Sequence, residues 1–340
     1  MRTECVVDQI SSKEWDEFVK AHPKGNIFQT KSLFDVYLNT DNYCPIAISS
    51  TNSKTGDING VLSGVVISEI GGFAKHFSSH AVVQGGPLIA DEHDTNVANS
   101  LVGEYDKKAK KKAIYSEIRN MHDCGYLINY LESYNFTDHL DFHISLEQPR
   151  DALWSGISKS RRKNIKKAED MGIDIVEINS VHQIESFCEI IDETYREVRI
   201  PSAPHSLFHN AFSQLVPKGY ARFLLAMDSN ECIGARAVLT YGNMIYDWYA
   251  GASIKSLSSY PNDFLVWNIL NWGLDNGYSV FDFGGAGNPN EPYGPREFKR
   301  RFGGKMVNYG RFSQIYSPAN MWIAKNGLKL YHALANRPRK

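Results

Sequence analysis

Six cationic side chains lie close together in the segment of residues 154–172. All six fall within the nine positions 159–167: Lys159, Arg161, Arg162, Lys163, Lys166 and Lys167. Arginine binds phosphate as a planar fork and lysine binds it as a point charge, so the segment could hold a phosphorylated substrate. On one helix, the apolar face toward the core would be Trp154, Ile157, Ile165 and Ala168. On charge alone, an ordinary solvated helix face explains the pattern at least as well, and Glu169 and Asp170 agree with it.

A second segment that could take part in binding or catalysis covers residues 281–304. A strand end with the sequence FDFGG leads into a loop rich in glycine and proline, which then delivers Phe298 and Lys299. Such a loop lets backbone approach a ligand closely and hold a defined shape. Gly285 and Gly287 do not form a dinucleotide fingerprint, because Pro289 follows and the third glycine and the immediate helix are missing. The sequence therefore argues against a Rossmann fold.

Other catalytic and metal-binding patterns are missing from the sequence. There is no GxSxG elbow and no GxxxxGK[ST] loop, so the main signals of hydrolases and P-loop proteins are lacking. The five scattered cysteines form no CxxC pair, which suits a reducing compartment. Three histidine pairs are four residues apart, but none has the glutamate of HExxH: His76/His80, His139/His143 and His205/His209. We expect no metal site.

Length and composition predict two domains. The chain has 340 residues and is 42% hydrophobic, which is enough for two cores of roughly 150 residues each. We expect a boundary near residues 148–150, which gives domains 1–149 and 150–340, the second with a C-terminal helix. The formal charge of −1 excludes a basic surface spread over the whole protein. No stretch approaches the ~18 apolar residues of a membrane span, so we expect a soluble, cytoplasmic protein.

The order of predicted elements indicates an α+β fold. In the second half, residues 221–227, 233–241 and 244–249 alternate as three strands of an antiparallel meander. A helix over residues 263–276 and a strand over residues 280–283 follow. In the first half, residues 140–146 are apolar at alternate positions and are expected to close the first domain as a strand. Helices would then cover mixed, mostly antiparallel sheets in an α/β sandwich.

The two chemical segments together resemble the FemABX family of acyl and aminoacyl transferases. The resemblance rests on W-x-x-x-S-x-x-R-R-x-x-I-x-x-A at residues 154–168, on FDFGG at residues 281–285 and on F-K-x-x-F-G at residues 298–303. Residues 193–201 are similar to a family helix that ends in an arginine. In the first half the resemblance is thin and rests on Phe28-Gln29, the GGP at residues 85–87 and Ile118-Arg119. The family implies two tandem GNAT-like domains.

Carried to this sequence, the resemblance implies roles for individual residues. Lys299 would lie at the reacting acyl carbonyl and stabilise its developing charge, with Phe298 packed beside the substrate. Tyr249 would line the cleft as a hydrogen-bonding wall, although a core tyrosine is an equal alternative. The residues expected to hold the precursor are Trp154, Arg161, Arg162, Lys166 and Arg196.

The resemblance leaves the acyl donor and the acceptor open. Leu33, Phe34 and Tyr37 stand where peptidoglycan-acting members tend to carry tryptophan and lysine, and no heptad array provides their coiled-coil insertion. After Tyr249 the chain lacks the R/Q-x-x-G-x-G/A loop that holds CoA pyrophosphate in GNAT proteins. We therefore expect no tightly bound cofactor, with aminoacyl-tRNA as the first candidate donor and acyl-CoA as the second.

The sequence thus predicts a transferase that places an acyl or aminoacyl group on an amine of a cell-envelope precursor, peptidoglycan-like or polysaccharide. Its partners would be that precursor and charged tRNA, and a lipid-linked precursor would bring it into peripheral contact with a membrane. Direct attack by the amine explains why no serine or cysteine nucleophile stands out. The alternative is a non-catalytic GNAT-fold module that binds an anionic glycan, a lipid headgroup or RNA.

Overall fold

The protein folds into two compact units. The computed structural model describes residues 11–68, 78–92, 94–129, 131–324 and 326. The first unit comprises the described residues up to Thr137 together with those from Gly310 onward. The second unit is Asp138–Tyr309. Each unit contains its own sheet, its own helices and its own hydrophobic core.

The sheet of the first unit has the strand order β1-β2-β3-β5-β14-β6, and β4 pairs with β2. These strands are β1 (Tyr43–Thr51), β2 (Ile58–Ser68), β3 (Ser79–Gln84), β4 (Leu88–Ile89), β5 (Tyr115–Arg119), β6 (Asn135–Thr137) and β14 (Arg311–Ile315). The helices are α1 (Ser12–Ala21), α2 (Lys31–Leu38) and α3 (Thr95–Ala109). Its paired strands run antiparallel except for β3 and β5, which are parallel.

Local sequence explains where the helices of the first unit begin. Ser11 and Glu14 form a reciprocal capping box that satisfies free backbone N–H groups at the start of α1. Asp94 caps α3 by accepting a hydrogen bond from the backbone of Val97 at 3.2 Å. Helix α3 then buries Leu101 and Tyr105, one helical turn apart, in the core beneath the sheet.

The sheet of the second unit has the strand order β13-β7-β12-β11-β10-β9-β8. These strands are β7 (Leu140–Ser145), β8 (Asp174–Glu177), β9 (Ala221–Asp228), β10 (Glu231–Tyr241), β11 (Met244–Ala252), β12 (Val280–Gly285) and β13 (Lys305–Asn308). The helices are α4 (Arg150–Gly156), α5 (Lys159–Asp170), α6 (Val181–Glu197), α7 (His205–Leu215), α8 (Pro261–Asp275) and α9 (Gly294–Arg300). The predicted meander is confirmed as β9, β10 and β11, which pair antiparallel.

The structure divides the chain differently from the predicted ranges 1–149 and 150–340. Strand β7 was expected to close the first domain, but it lies between β12 and β13 in the second sheet. After Gly310 the chain returns to the first unit, where β14 pairs with β5 and β6. The helical residues 318–324 also belong to that unit. Alternating apolar residues predict a strand, but they do not say which sheet will bury it.

The basic segment is two helices instead of the single one expected. Helix α4 ends at Gly156, Ile157 adopts an extended conformation, and Ser158 is the N-cap of α5. Ile157, Ile165 and Ala168 are buried as predicted. The break arises because the Ser158 hydroxyl accepts from the backbone of Arg161, and serine favours such a cap over a helix interior. Trp154 therefore lies on a different helix from the cations.

Candidate active site

Regular pairing between the parallel strands β11 and β12 is short, and the region beyond its end is called the opening. They pair only from Met244 to Tyr246, opposite Val280 to Asp282. Beyond that point β11 shifts register against β10, and Trp248 is the extra residue of the bulge. Strand β12 is also irregular after Asp282, where Gly284 adopts a φ of +67°. Among the described residues, no strand pairs with the β12 side of β11 beyond Tyr246.

The Lys299 side chain holds the irregular end of β12. Its ammonium donates to the carbonyls of Phe283 at 2.6 Å, Gly284 at 3.0 Å and Gly285 at 2.9 Å. An ammonium has three N–H donors, so these three carbonyls use all of them. Burial lowers the pKa of Lys299, while the carboxylates of Asp247, Asp141 and Asp282 act in the opposite direction. Lys299 is thus bound to protein, and in this structure no donor remains for an acyl oxygen.

A buried ion pair lies beside the opening. Arg236 on β10 is only 3% exposed, and its guanidinium donates to Oδ2 of Asp247 on β11 at 2.6 Å. Asp247 is the first residue of β11 beyond the paired stretch. Its Oδ1 is buried and has no hydrogen-bond partner among the described residues. Burial raises the pKa of Asp247, and the nearby Arg236 and Lys299 cations oppose that rise.

Two further carboxylates and a histidine complete this charged cluster. Asp282 on β12 is fully buried, and its Oδ1 accepts from the backbone of Gly284 at 2.7 Å. The ligand atoms of Asp141, His143 and Asp282 all lie within 4.8 Å of one another. Burial and the neighbouring Asp282 carboxylate raise the pKa of Asp141. The spacing would admit a cation, but the Lys299 ammonium already places positive charge beside both carboxylates. We derive no metal chemistry from the cluster.

Tyr249 lies in an aromatic wall on β11. Its ring contacts Phe208 and Trp248 with centroid separations of 4.9 and 5.0 Å, and Tyr195 at 6.2 Å. Burial raises the pKa of Tyr195, and the nearby Tyr293 and Asp247 add to that rise. Tyr249 is half-buried among these aromatic rings and lies two residues from Asp247 along β11. Its role in catalysis stays a prediction.

Arg161 and Phe298 come together, but in a structural contact. The Arg161 guanidinium donates to both carboxylate oxygens of Asp263 at 3.0 Å and lies 4.4 Å from the centroid of the Phe298 ring. Asp263 is in the first turn of α8, so these contacts join α5, α8 and α9. Phe298 also packs against Phe302 at 5.2 Å. The charge of Arg161 is therefore already paired, which weakens the prediction that it binds a precursor phosphate.

Three other predicted residues line one groove. Trp154, Arg162 and Lys166 share a groove of about 630 Å³ with Lys159, Lys163, Lys167 and Asp170. Trp154 packs against Trp267 with a centroid separation of 4.7 Å. Arg196 is not part of this groove. It is exposed in the last turn of α6.

Two residues that precede Arg196 on α6 form hydrogen bonds at the far end of β11. Glu193 accepts from the backbone of Ile254 at 2.9 Å, and Thr194 accepts from the backbone of Ala252 at 3.1 Å. A side chain at Gly251 would come within 2.6 Å of the Thr194 hydroxyl. These contacts anchor the far end of β11 against α6.

Sequence reasoning missed the buried charges Arg236, Asp247 and Asp282. Each one interrupts an otherwise apolar strand, in the sequences GARAV, IYDWY and VFDFG. A charged residue is rarely fully buried unless it is paired, so this interruption is a usable signal.

Two of the three histidine pairs lie wholly within the described residues. His76 lies outside the described residues, and His143 is on strand β7. His205 and His209 do share a face of α7, but they pair with carboxylates: His205 with Asp192 at 2.9 Å and His209 with Glu185 at 2.8 Å.

The thin resemblance in the first half has a structural basis. The buried Gln29 side chain donates to the carbonyls of Ser63 at 2.9 Å and Gln84 at 2.7 Å, and accepts from the backbone of Ser63 at 2.8 Å. Asn26 donates to the carbonyl of Gly85 at 2.6 Å. These residues tie a 3-10 turn (Ile27–Gln29) to β2 and to the end of β3. In the described part of the chain, no helix has the length and hydropathy needed to cross a bilayer.

Comparisons with known proteins agree with this architecture. Residues 157–300 match the family model described as an acetyltransferase (GNAT) domain. A search of curated proteins gives no significant match. FemX matches with a TM-score of 0.68 and 15% identity, over 96% of this chain and 99% of that chain. L-PGS from Bacillus licheniformis matches with a TM-score of 0.59 and 14% identity, over 94% and 96% of the two chains.

A third solved structure is a tandem GNAT protein from the clavulanic acid biosynthesis pathway. It matches with a TM-score of 0.58 and 12% identity, over 94% of this chain and 100% of that chain. At these identities the likeness concerns the fold. The predicted fold class and the predicted resemblance are both confirmed at that level. Residues 157–300 match the acetyltransferase (GNAT) domain model, and the chain as a whole has a tandem GNAT fold similar to that of FemX.

Proposed function

We propose that the protein is an N-acyltransferase whose reaction takes place in the opening between β11 and β12. The observation that carries this proposal is Asp247, which lies where the strands part, is 10% exposed and has one buried carboxylate oxygen without a hydrogen-bond partner among the described residues. Parallel strands that separate leave backbone donors and acceptors free to meet a ligand. The family model that matches this part of the chain supports acyl transfer as the reaction class.

In the proposed reaction the acceptor amine attacks the acyl carbonyl directly. A new C–N bond forms, the bond between the acyl carbon and the leaving group breaks, and the leaving group takes up the proton that Asp247 has received from the amine. The proton lost by the amine nitrogen goes to Asp247. Arg236 keeps the other oxygen of Asp247 in place, and burial raises the pKa of Asp247 toward the range a general base needs.

Lys299 acts as a positioning residue in this proposal. Its three bonds to β12 carbonyls fix the wall opposite Asp247, so its removal would displace that wall. The developing oxyanion would instead be stabilised by backbone N–H groups on the free side of β11, near the bulge at Trp248. This assignment replaces direct contact between Lys299 and the acyl oxygen.

The start of helix α8 supports aminoacyl-tRNA over acyl-CoA as the donor. In a GNAT domain the pyrophosphate of CoA needs backbone N–H groups at this helix start. Here the helix begins with Pro261, which has no N–H, and the carboxylate of Asp263 lies in the first turn. The missing N–H leaves one donor fewer for a pyrophosphate at this helix start, while the Asp263 carboxylate is already held by Arg161.

The acceptor proposed is an amine of a cell-envelope precursor, and the enzyme would meet it in the cytoplasm, where charged tRNA is present. The fold shared with FemX and with L-PGS supports an acceptor of this class. The rival proposal, a non-catalytic binding module, is favoured by the groove on α5, whose cations are largely unpaired. The two proposals differ in whether a product forms.

The test is mass spectrometry after incubation with charged tRNAs, acyl-CoAs and amine-bearing nucleotide-linked or lipid-linked precursors. The proposal expects an acceptor whose mass increases by one acyl group only when charged tRNA is present. Ligand binding with no product, where FemX produces one from its own substrates, would support the binding module. Product formation from acyl-CoA alone would overturn the choice of donor.

Replacing Asp247 tests its role once a product is known. Asp247→Asn should lower kcat about 100-fold at neutral pH, with part of the rate recovered at high pH as the free amine forms without help. Asp174→Asn, on the exposed face of β8, is the matched control. A pH profile for Asp247→Asn that parallels the unsubstituted enzyme would exclude Asp247 as the base.

A further inference from the structure

Four cations on α5 have no ionic partner. Lys159, Arg162, Lys163 and Lys166 lie at helical spacings of three and four, so they share one side of the helix. None of the four forms an ion pair with another described residue. Other basic residues of the second unit are paired, among them Arg161 with Asp263, Arg222 with Glu177 and Arg300 with Glu297. The α5 face is therefore a local positive surface on a chain with almost no net charge.

Exposed apolar side chains adjoin this face at the C-terminal end of α5. Met171 follows the helix and is 46% exposed. The neighbouring 3-10 helix, Ile254–Ser259, exposes Ile254 and Leu257 by 44% and 54%. Lys167 connects the two elements, because it donates to the carbonyl of Ser258 at 3.4 Å and its ammonium lies 5.1 Å from the Tyr260 ring centroid. The 3-10 helix that carries two of these aliphatic groups therefore contacts α5 at Lys167, one helical turn from Lys163.

We propose that this surface docks the protein onto an anionic phospholipid bilayer. The surface consists of Lys159, Arg162, Lys163, Lys166, Met171, Ile254 and Leu257. Unpaired lysines and arginines are attracted to anionic headgroups, and aliphatic side chains gain from insertion into the headgroup and acyl boundary. The inference goes beyond the proposed function, since docking would hold for an enzyme and for a binding module alike.

A nucleic acid would use the same charges, but it fits the other features less well. Single-stranded nucleic acids bind basic grooves in which aromatic rings stack on bases. The aromatic residue in this groove is Trp154, and its ring packs against Trp267. Met171, Ile254 and Leu257 offer aliphatic surface, which a phosphate backbone does not use. A bilayer accounts for both the charged and the apolar residues.

The first measurement is co-sedimentation of the full chain with vesicles of phosphatidylcholine alone or mixed equally with phosphatidylglycerol. We expect binding only to the anionic vesicles. Replacing Lys159, Arg162, Lys163 and Lys166 together by glutamine should reduce the partition coefficient by about 100-fold or more, because each basic residue near such a surface contributes about fivefold. Glutamine substitution of four exposed lysines in the first unit, Lys20, Lys54, Lys110 and Lys111, is the matched control. Equal losses in both variants would overturn the proposal, because only general electrostatics would then be at work.

The apolar residues are tested separately, at a salt concentration that screens the charges. Met171→Ser with Leu257→Ser should weaken vesicle binding by about 10-fold or more, whereas Met306→Ser, an exposed methionine on β13, should not. No loss from the double substitution would also overturn insertion of this surface. Tight binding of single-stranded RNA that depends on the four cations, without vesicle binding, would assign the surface to RNA instead.

Discussion

The two sheets have similar connectivity but differ in what surrounds their single parallel pair. In the first unit, β3 and β5 pair from Ala81 to Gln84, and the neighbouring turn is held by the neutral amide of Gln29. In the second unit, β11 and β12 are surrounded by Arg236, Asp247, Asp282 and Lys299. Among the described residues, the fully buried carboxylates and guanidinium groups all belong to the second unit: Arg236, Asp263 and Asp282.

The comparison shows that two units of the same fold differ in how many charged groups they bury. Hydrogen bonds of a neutral side-chain amide are sufficient to hold the segment beside a parallel strand pair, as Gln29 shows. Buried charges are not needed for that purpose and are expensive to desolvate. Their concentration at one parallel pair is therefore evidence of a function that the other pair lacks.

The largest expected effect comes from replacing Lys299 with methionine, which keeps the length of the side chain but removes its charge. Three carbonyls and three neighbouring carboxylates would lose their cation, so we expect the second unit to lose about 3 kcal/mol of stability. Once a product is known, transfer should fall at least 100-fold. Urea unfolding and steady-state kinetics measure the two effects. Lys305→Met, at an exposed position on β13, should change neither.

Loss of stability alone would leave the role of Lys299 open, so its variants must be compared below the unfolding transition. Full turnover by folded Lys299→Met would show that the wall formed by β12 is not needed. It would also remove the argument that the charged groups around β11 and β12 serve a function.

Gln29→Ala should have the next largest effect, confined to the first unit. Its amide makes three buried hydrogen bonds to β2 and β3, so we expect a loss of about 3 kcal/mol. Hydrogen exchange of amides in those strands reports the local change, and amides of the second sheet should keep their protection. Asn99→Ala, exposed on α3, is the control and should stay within about 0.5 kcal/mol.

His122 should make the first unit sensitive to mild acid. Burial lowers the pKa of His122 to about 4, with the Lys24 charge adding to the shift. Between pH 4 and the unfolded value of about 6.5 the unfolded chain binds more protons, so stability falls as pH drops through this range. We expect His122→Asn to remove roughly 2 kcal/mol of that dependence. Thermal unfolding from pH 4 to 7 measures it, and the exposed His182→Asn should keep the full slope.

Asp141 should give the second unit a smaller dependence of the opposite sign. Burial and the Asp282 carboxylate raise the pKa of Asp141, so the folded state binds the proton more strongly. Stability then decreases as pH rises above about 3.9, the unfolded value, through the raised pKa. Asp141→Asn should flatten this decrease by on the order of 1 kcal/mol. Hydrogen exchange of the second sheet across pH measures it, with Asp174→Asn as the control. A slope that does not change would show that Asp141 is not protonated in the folded protein.

The fold was largely predictable from the sequence, and the candidate site only in part. Alternating apolar residues predicted the β9, β10 and β11 meander, because burial of one sheet face imposes that pattern locally. The same alternation could not place β7 or β14, whose partners are distant in the chain. The site was predicted around Lys299 by resemblance, but its three carbonyl contacts depend on how β12 bends.

By itself, the sequence determined two α+β domains, a cluster of cations on one helix and a glycine-rich segment that ends in Phe298 and Lys299. Those properties follow from residue types and short-range spacing. Only the tertiary structure decided which charges are paired: Arg161 is matched by Asp263, whereas Arg162 and Lys166 remain unpaired in the groove. It also brought Arg236, Asp247, Asp282 and Lys299 together from three strands and a short helix. Electrostatic interactions act through space, so the chemistry of these groups depends on distances that spacing along the chain does not contain.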